Sequence, residues 1–412
     1  MKLNSKELNK ILYFLLAGSL FVGLNFNEDF GGGGSILDFY NTFPKIENPI
    51  DNLFKYDTKF PLHYFLGSLI YAVLENQFLY RVFFLIIAIY LPLLFYNCLK
   101  IKFKNVGRNY LFFLSLILLI LPGVRSAAIW PNTQLTSLLF FLFSIKYFLK
   151  WELTKENRIN KNFYLFLFFM GLAVYCREIY AIIYFYFYIY FFFNFNFKEF
   201  LKASVLIFLL SLPGLIFISL SPSQSVLAMD FYTFNFQNTI LINFSILFFY
   251  LTPFFLIYLA QHTYLLRFNK NYIVVFLIAF LITVFLSNKF DFDLKNGGGV
   301  ILKISNLIFE NNHLFYFSSF LGIVFVYAFA KNNLFNILLF FLLIIGISGK
   351  YIFMKYFEPM FIILFFLIFK NIEIENLFKK NNTLFYFAYF FIYLIGSLIF
   401  TVFNIKKFLF SI

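Results

Sequence analysis

Few side chains in this sequence can do acid–base or ionic chemistry, and they fall in short groups. Asp38 lies shortly after the first long apolar run, and 22 residues on comes Phe60-Pro61-Leu62-His63-Tyr64-Phe65. A polar break at Glu75-Asn76-Gln77 follows, with Arg81 at the head of the next run. Arg125-Ser126-Ala127-Ala128-Ile129-Trp130-Pro131-Asn132, Tyr175-Cys176-Arg177-Glu178 and Lys355-Tyr356-Phe357-Glu358-Pro359 complete the set, each at the edge of an apolar run. A carboxylate within reach of a hydroxyl can take its proton. Arg and Lys in a low-dielectric setting stabilise charge that grows on phosphate oxygens. Together the two kinds of group suit a proton transfer beside an anion.

The elements that position these residues are membrane helices. Of 412 residues, 62% are hydrophobic and 13% charged, whereas a soluble protein carries roughly 25% charged residues. So little charge cannot cover a compact fold in water, which excludes a soluble enzyme, a secreted disulfide scaffold and a disordered polybasic chain. The 72 Phe read as interchangeable lipid-facing residues rather than as a special aromatic function. Cys98 and Cys176 make no metal-ligand spacing and no disulfide framework. The net charge of +14 comes from short basic clusters between apolar runs, the pattern of positive-inside topology rather than of a nucleic-acid surface.

Apolar runs of about 20 residues predict an all-α, polytopic transmembrane bundle with about 11–13 spans and juxtamembrane helices on the outer face. The residues after Lys2, Lys6 and Lys10 read as a first span, without a small-residue cleavage site. Residues 110–124 and 359–371 are among the expected spans. Pro61–Phe78, interrupted by His63 and Glu75, reads as an interfacial helix. With a cytoplasmic N-terminus, most Lys and Arg fall inside and all seven aspartates outside. Two outer segments are long, 27–60 and 288–312, and each sets aspartates beside a glycine run, Gly31–Gly34 and Gly297–Gly299. Long loops in compact proteins are commonly functional. One integral-membrane unit is expected, with an N-terminal module over 1–220 and C-terminal helices over 221–412; no soluble domain or internal repeat is visible.

The order of these motifs resembles the polyprenyl-phosphate-sugar-dependent glycosyltransferases of the GT-C superfamily. Protein O-mannosyltransferases, aminoarabinose transferases of lipid A and rhizobial core transferases belong there. In that pattern an acidic residue in the first outer loop precedes a Pro-Pro-Leu-aromatic helix start. Here Phe60 stands where the first proline is usual, and Asp38-Phe39 replaces the frequent Asp-Glu pair. The Arg125–Asn132 and Lys355–Pro359 stretches resemble later family elements. Tyr175-Cys176-Arg177-Glu178, with segment 288–312, is similar to the glucosyltransferases that finish lipid-linked oligosaccharides. The resemblance implies an inverting transferase with Asp38 as general base, Asp29 and Asp57 being alternatives. It implies donor contacts from Lys59, His63, Arg81, Arg125, Arg177 and Lys355.

Each residue also has a plainer reading. Asp38 equally fits a solvated loop acid, and His63 a hydrogen-bonding group, since a metal site needs several ligands. Arg81 and Arg125 fit cations snorkelling to headgroups. Arg177 with Glu178, and Lys355 with Glu358, fit structural pairs. No metal is assigned, and a divalent cation stays open as cofactor. The expected function is transfer of a sugar from a polyprenyl-phosphate donor to a glycan, lipid or protein acceptor. The expected place is the outer face of a bacterial inner membrane, with no nucleic-acid partner. The alternatives are a transporter or flippase of lipid-linked sugars and a polysaccharide polymerase or ligase.

Overall fold

The computed structural model describes residues 5–30, 34–52, 60–154, 158–220, 235–261, 270–331, 333–349, 351–370, 378 and 380–409. Among them the chain is all-α apart from a 3-10 turn and one isolated parallel bridge, as the apolar runs predict. Among the described residues six helices are long and apolar enough to cross a membrane. They are α1 (Ser5–Asn25), α5 (Gln77–Lys102), α12 (Phe197–Leu220), α13 (Phe236–Gln261), α16 (His313–Ala330) and α19 (Lys380–Leu409). The chain is an integral membrane protein. Of the 11–13 expected spans, six are such helices, a seventh is a bent pair, and most other runs form helices of 10–17 residues.

The bend falls where one span was expected over 110–124. Helices α6 (Arg108–Ser115) and α7 (Ile117–Ile120) are followed by α8 (Pro122–Ile129), turned by 62°. Pro122 disfavours helical geometry at the residue before it, and Leu121 is accordingly extended, at φ −71° and ψ 121°. Such a bend brings Arg125 and Ser126 off the span and into the protein, where both are buried.

The chain divides into two compact units. The first comprises Met1–Gln224 with Thr383–Ile412, the second Ser225–Asn382. In the first, the remaining helices are α2 (Gly34–Glu47), α3 (Pro49–Asn52), α4 (Leu62–Leu74), α9 (Thr133–Glu152), α10 (Lys161–Cys176) and α11 (Tyr180–Asn194). The polar break stops α4 as expected: Glu75 adopts left-handed geometry at φ 48°, and Asn76 caps α5 by accepting from Phe78 N and Leu79 N. Between α9, α10 and α11 the core is aromatic, with Phe148, Trp151, Phe163, Phe166, Phe187 and Phe191 ring to ring. Part of the Phe excess thus builds the core, while Phe168, Phe192 and Phe193 face outward.

In the second unit α14 (Lys270–Ser287), α15 (Gly299–Phe309), α17 (Leu334–Gly346) and α18 (Met354–Leu367) join α13 and α16. Small residues let α13 and α16 approach closely: Gly322 packs so near the Phe244 carbonyl that no side chain fits there. Ser319 Oγ donates to Leu241 O at 2.8 Å, and Ser245 and Ser318 share a 2.7 Å hydrogen bond.

Candidate functional site

The site in the first unit grows from the end of α1. Asn27 closes that helix in left-handed geometry, φ 52°, a conformation that Asn tolerates better than most residues. Glu28 N then bonds back to Gly23 O at 2.8 Å. The three residues Asn27-Glu28-Asp29 each hold a different part of the unit.

Glu28 forms a two-pronged ion pair with Arg125, Nε to Oε1 at 2.7 Å and Nη2 to Oε2 at 2.9 Å. Arg125 also donates to Ser19 Oγ at 2.9 Å, to Ser19 O at 3.3 Å and to Leu119 O at 3.4 Å. The side chains are 5% and 14% exposed. Asp29 Oδ2 accepts from Ser35 N and Ile36 N, both at 3.1 Å. Those are N–H groups that the first turn of α2 leaves without helical partners. Ser126 Oγ lies 3.2 Å from Asp29 Oδ1 and 2.7 Å from Ser35 Oγ. Asn27 Oδ1 accepts from Arg81 Nη2 at 3.0 Å, while Arg81 Nε donates to Ile129 O at 2.8 Å. The Arg81 guanidinium lies 3.8 Å from the Trp130 ring centre, and Trp130 Nε1 donates to Glu28 O at 3.1 Å.

Asp38 sits on α2, in its second turn rather than in a loop, and is half-buried. Phe39, Phe43 and Ile46 bury one side of that helix. Phe39 packs on Trp130 at 5.7 Å, Phe43 meets Tyr71 edge-on at 5.1 Å, and Ile46 lies against Gly67. Asp38, Thr42 and Lys45 recur at intervals of four and three, so they share a neighbouring stripe. Lys45 is 2% exposed, with Nζ 5.0 Å from the Tyr64 ring centre.

The Phe60–Tyr64 motif starts α4, with Pro61 immediately before the helix. His63 Nδ1 is 2.8 Å from Thr136 Oγ1 on α9. Phe60 meets Tyr175 edge-on at 5.8 Å and packs on Phe217 of α12. The Tyr175 hydroxyl donates to Leu210 O and accepts from Gly214 N at 3.1 Å. It thereby enters the hydrogen-bond ladder of α12 beside Pro213. Arg177 caps the end of α10 in an extended conformation, half-buried, at the turn into α11. The fold therefore joins two separated motifs, Phe60–Phe65 and Tyr175–Glu178, at one place in the unit.

Lys355 belongs to the second unit. Its helix begins at Met354, ahead of the expected start near 359, so the Lys355–Pro359 motif is helical. Its Nζ lies 5.3 Å from the Phe353 ring centre. Before α18 the chain is tied to the glycine segment: Ile352 N donates to Asn296 O at 3.0 Å and Gly298 N to Ile352 O at 2.8 Å. Gly297 and Gly298 have φ of 115° and 81°, where a side chain would be strained. Asp293 caps the preceding turn by accepting from Lys295 N at 2.9 Å. Segment 288–312 is thus largely ordered by α15, on which burial lowers the Lys303 ammonium below its usual range.

Lys59 and Asp57 lie outside the described residues. Sequence reasoning missed Glu28, Ser126 as an Asp29 partner, and Lys45. Only Lys45 had a local signal, its helical spacing from Asp38. Among the described residues no three His, Cys, Asp or Glu side chains come together to hold a metal ion. Comparison with protein-family models, with curated proteins and with solved structures finds no match for this chain.

Proposed function

We propose that the chain is a membrane glycosyltransferase that moves one sugar from a polyprenyl-phosphate donor to a glycan, lipid or protein acceptor on the outer face of a bacterial inner membrane. The observation that carries this reading is the seating of Asp38. A half-buried carboxylate lies on a short helix, α2, packed against the α4 motif helix and the Arg81–Trp130 stack. The resemblance of the Asp38-to-Arg81 stretch to the GT-C pattern supports it independently.

In the reaction an acceptor hydroxyl attacks the anomeric carbon of the donor. The new carbon–oxygen bond forms as the bond from that carbon to the phosphate oxygen breaks. The electron pair leaves on the polyprenyl phosphate, and Asp38 takes the hydroxyl proton. A single attack inverts the anomeric configuration. Arg177, in the same unit as Asp38, is the proposed cation for the leaving phosphate, and His63 is a proposed donor contact. A lipid-linked sugar matches a chain built almost wholly of apolar helices, since its prenyl tail is held in the bilayer.

The test is turnover with a panel of polyprenyl-phosphate sugars by the purified chain in lipid. Transfer that disappears in Asp38→Asn, with membrane insertion intact, is the expected result. Transfer unchanged in that variant removes Asp38 as base. A chain that moves lipid-linked sugar across vesicles without transferring it would be a flippase, a reading favoured only by the 62° break at Leu121.

A further inference from the structure

We propose that Glu28 and Arg125 are positioning residues, an ion pair that sets the start of α2 and through it the place of the Asp38 carboxylate. The inference rests on the transfer reading above. The Arg125 guanidinium has five N–H groups, and five protein acceptors surround it: both Glu28 oxygens, Ser19 Oγ, Ser19 O and Leu119 O. It has no donor left for a phosphate, so direct donor binding is not its task.

The linkage runs through covalent neighbours and hydrogen bonds. Fixing Glu28 fixes Asp29, whose Oδ2 holds the first two bonded N–H groups of α2. Ser126, next to Arg125, holds the other Asp29 oxygen and Ser35. Asp38 follows Ile36 by two residues on the same rigid helix. A buried ion pair gains little stability over an apolar pair of the same volume. Such pairs are kept where they fix one specific arrangement. Positioning a carboxylate is a function that explains the cost.

Two measurements on the full-length chain test this. The first needs no turnover. A cysteine at position 38 is labelled with a membrane-impermeant maleimide in detergent micelles, in the Asp38→Cys chain and in the same chain with Glu28→Gln. Native Cys98 and Cys176 are buried and serve as the control for global unfolding. The labelling rate at position 38 should change at least about fivefold while the two native cysteines stay protected. An unchanged rate overturns the proposal. The second measures transfer by Glu28→Gln and by the milder Arg125→Lys. Both should lose kcat about tenfold or more, keep the donor KM within about twofold, and shift the acid limb of the pH profile. A raised KM at constant kcat would make Arg125 a donor-binding group and overturn the assignment. If the unaltered chain transfers none of the panel sugars, the transfer reading fails, and the labelling result still decides whether the pair positions α2.

Discussion

Segments 27–60 and 288–312 share a composition, aspartates beside a run of glycines, yet they are fastened by different means. The first is held by side chains. Glu28 grips Arg125, Asp29 caps α2, and Asn27 meets Arg81 across sequence separations of 97, 6 and 54 residues. The second is held by backbone and neutral side chains, through the Gly297–Ile352 bridge, glycine geometry and Asn238, whose Nδ2 donates to Asp291 O and whose Oδ1 accepts from Asp291 N at 3.2 Å. Charged fastenings can be broken or shifted by a proton, a salt or a ligand. Fastenings made of backbone and neutral amides offer no charge for a proton or a salt to act on. The contrast places adjustable chemistry around α2 and a fixed frame around α15.

Five single substitutions and one double variant break or sharpen that contrast. The largest effect is expected at Asp38: replacement by Asn should cut transfer by about 10²–10⁴-fold, read as initial rate against protein in the membrane. Arg125→Ala leaves the part-buried Glu28 without its partner and should cost about 3 kcal/mol in denaturant unfolding in detergent. Pairing it with Glu28→Leu should restore most of that loss, and a double variant as unstable as the single would deny the charge-based fastening. Gly297→Ala forces a side chain into the Ile352 backbone at positive φ and should cost about 2 kcal/mol by thermal unfolding. A neutral outcome would mean that the bridge does not frame the segment. The smallest effects belong to the caps. Asp293→Ala and Asp29→Ala should each cost about 1 kcal/mol, but only Asp29→Ala should also reduce transfer.

The sequence shows the fold class plainly, because runs of apolar residues have one structural outcome in a bilayer. The break at Glu75-Asn76-Gln77 was equally legible, since Asn76 has the side chain that caps a helix. Helix α2 was hidden: Pro44 and the glycines before it suggest a loop, although Phe39, Phe43 and Ile46 keep helical spacing. Reading 110–124 as one span ignored what Pro122 imposes on Leu121. The Glu28–Arg125 pair had no local signal, because its partners meet only once α1 and α8 have packed. Position along the chain identified Arg125 as a residue of interest, but only tertiary structure could show that its donors are already engaged.

The placement of Trp130 has a practical consequence. The chain has two tryptophans. Trp151 is enclosed by Phe148, Phe163, Phe191 and Phe195, so its surroundings change only when the core opens. Trp130 is different: Phe39 and Tyr40 of α2 lie on one side, and the Arg81 cation is stacked on its ring. A Trp151→Phe chain would therefore carry a single tryptophan, excited selectively at wavelengths its 29 tyrosines do not absorb, seated against the helix that bears Asp38. Any lipid or soluble molecule that shifts α2 should alter its emission, giving a label-free screen for ligands.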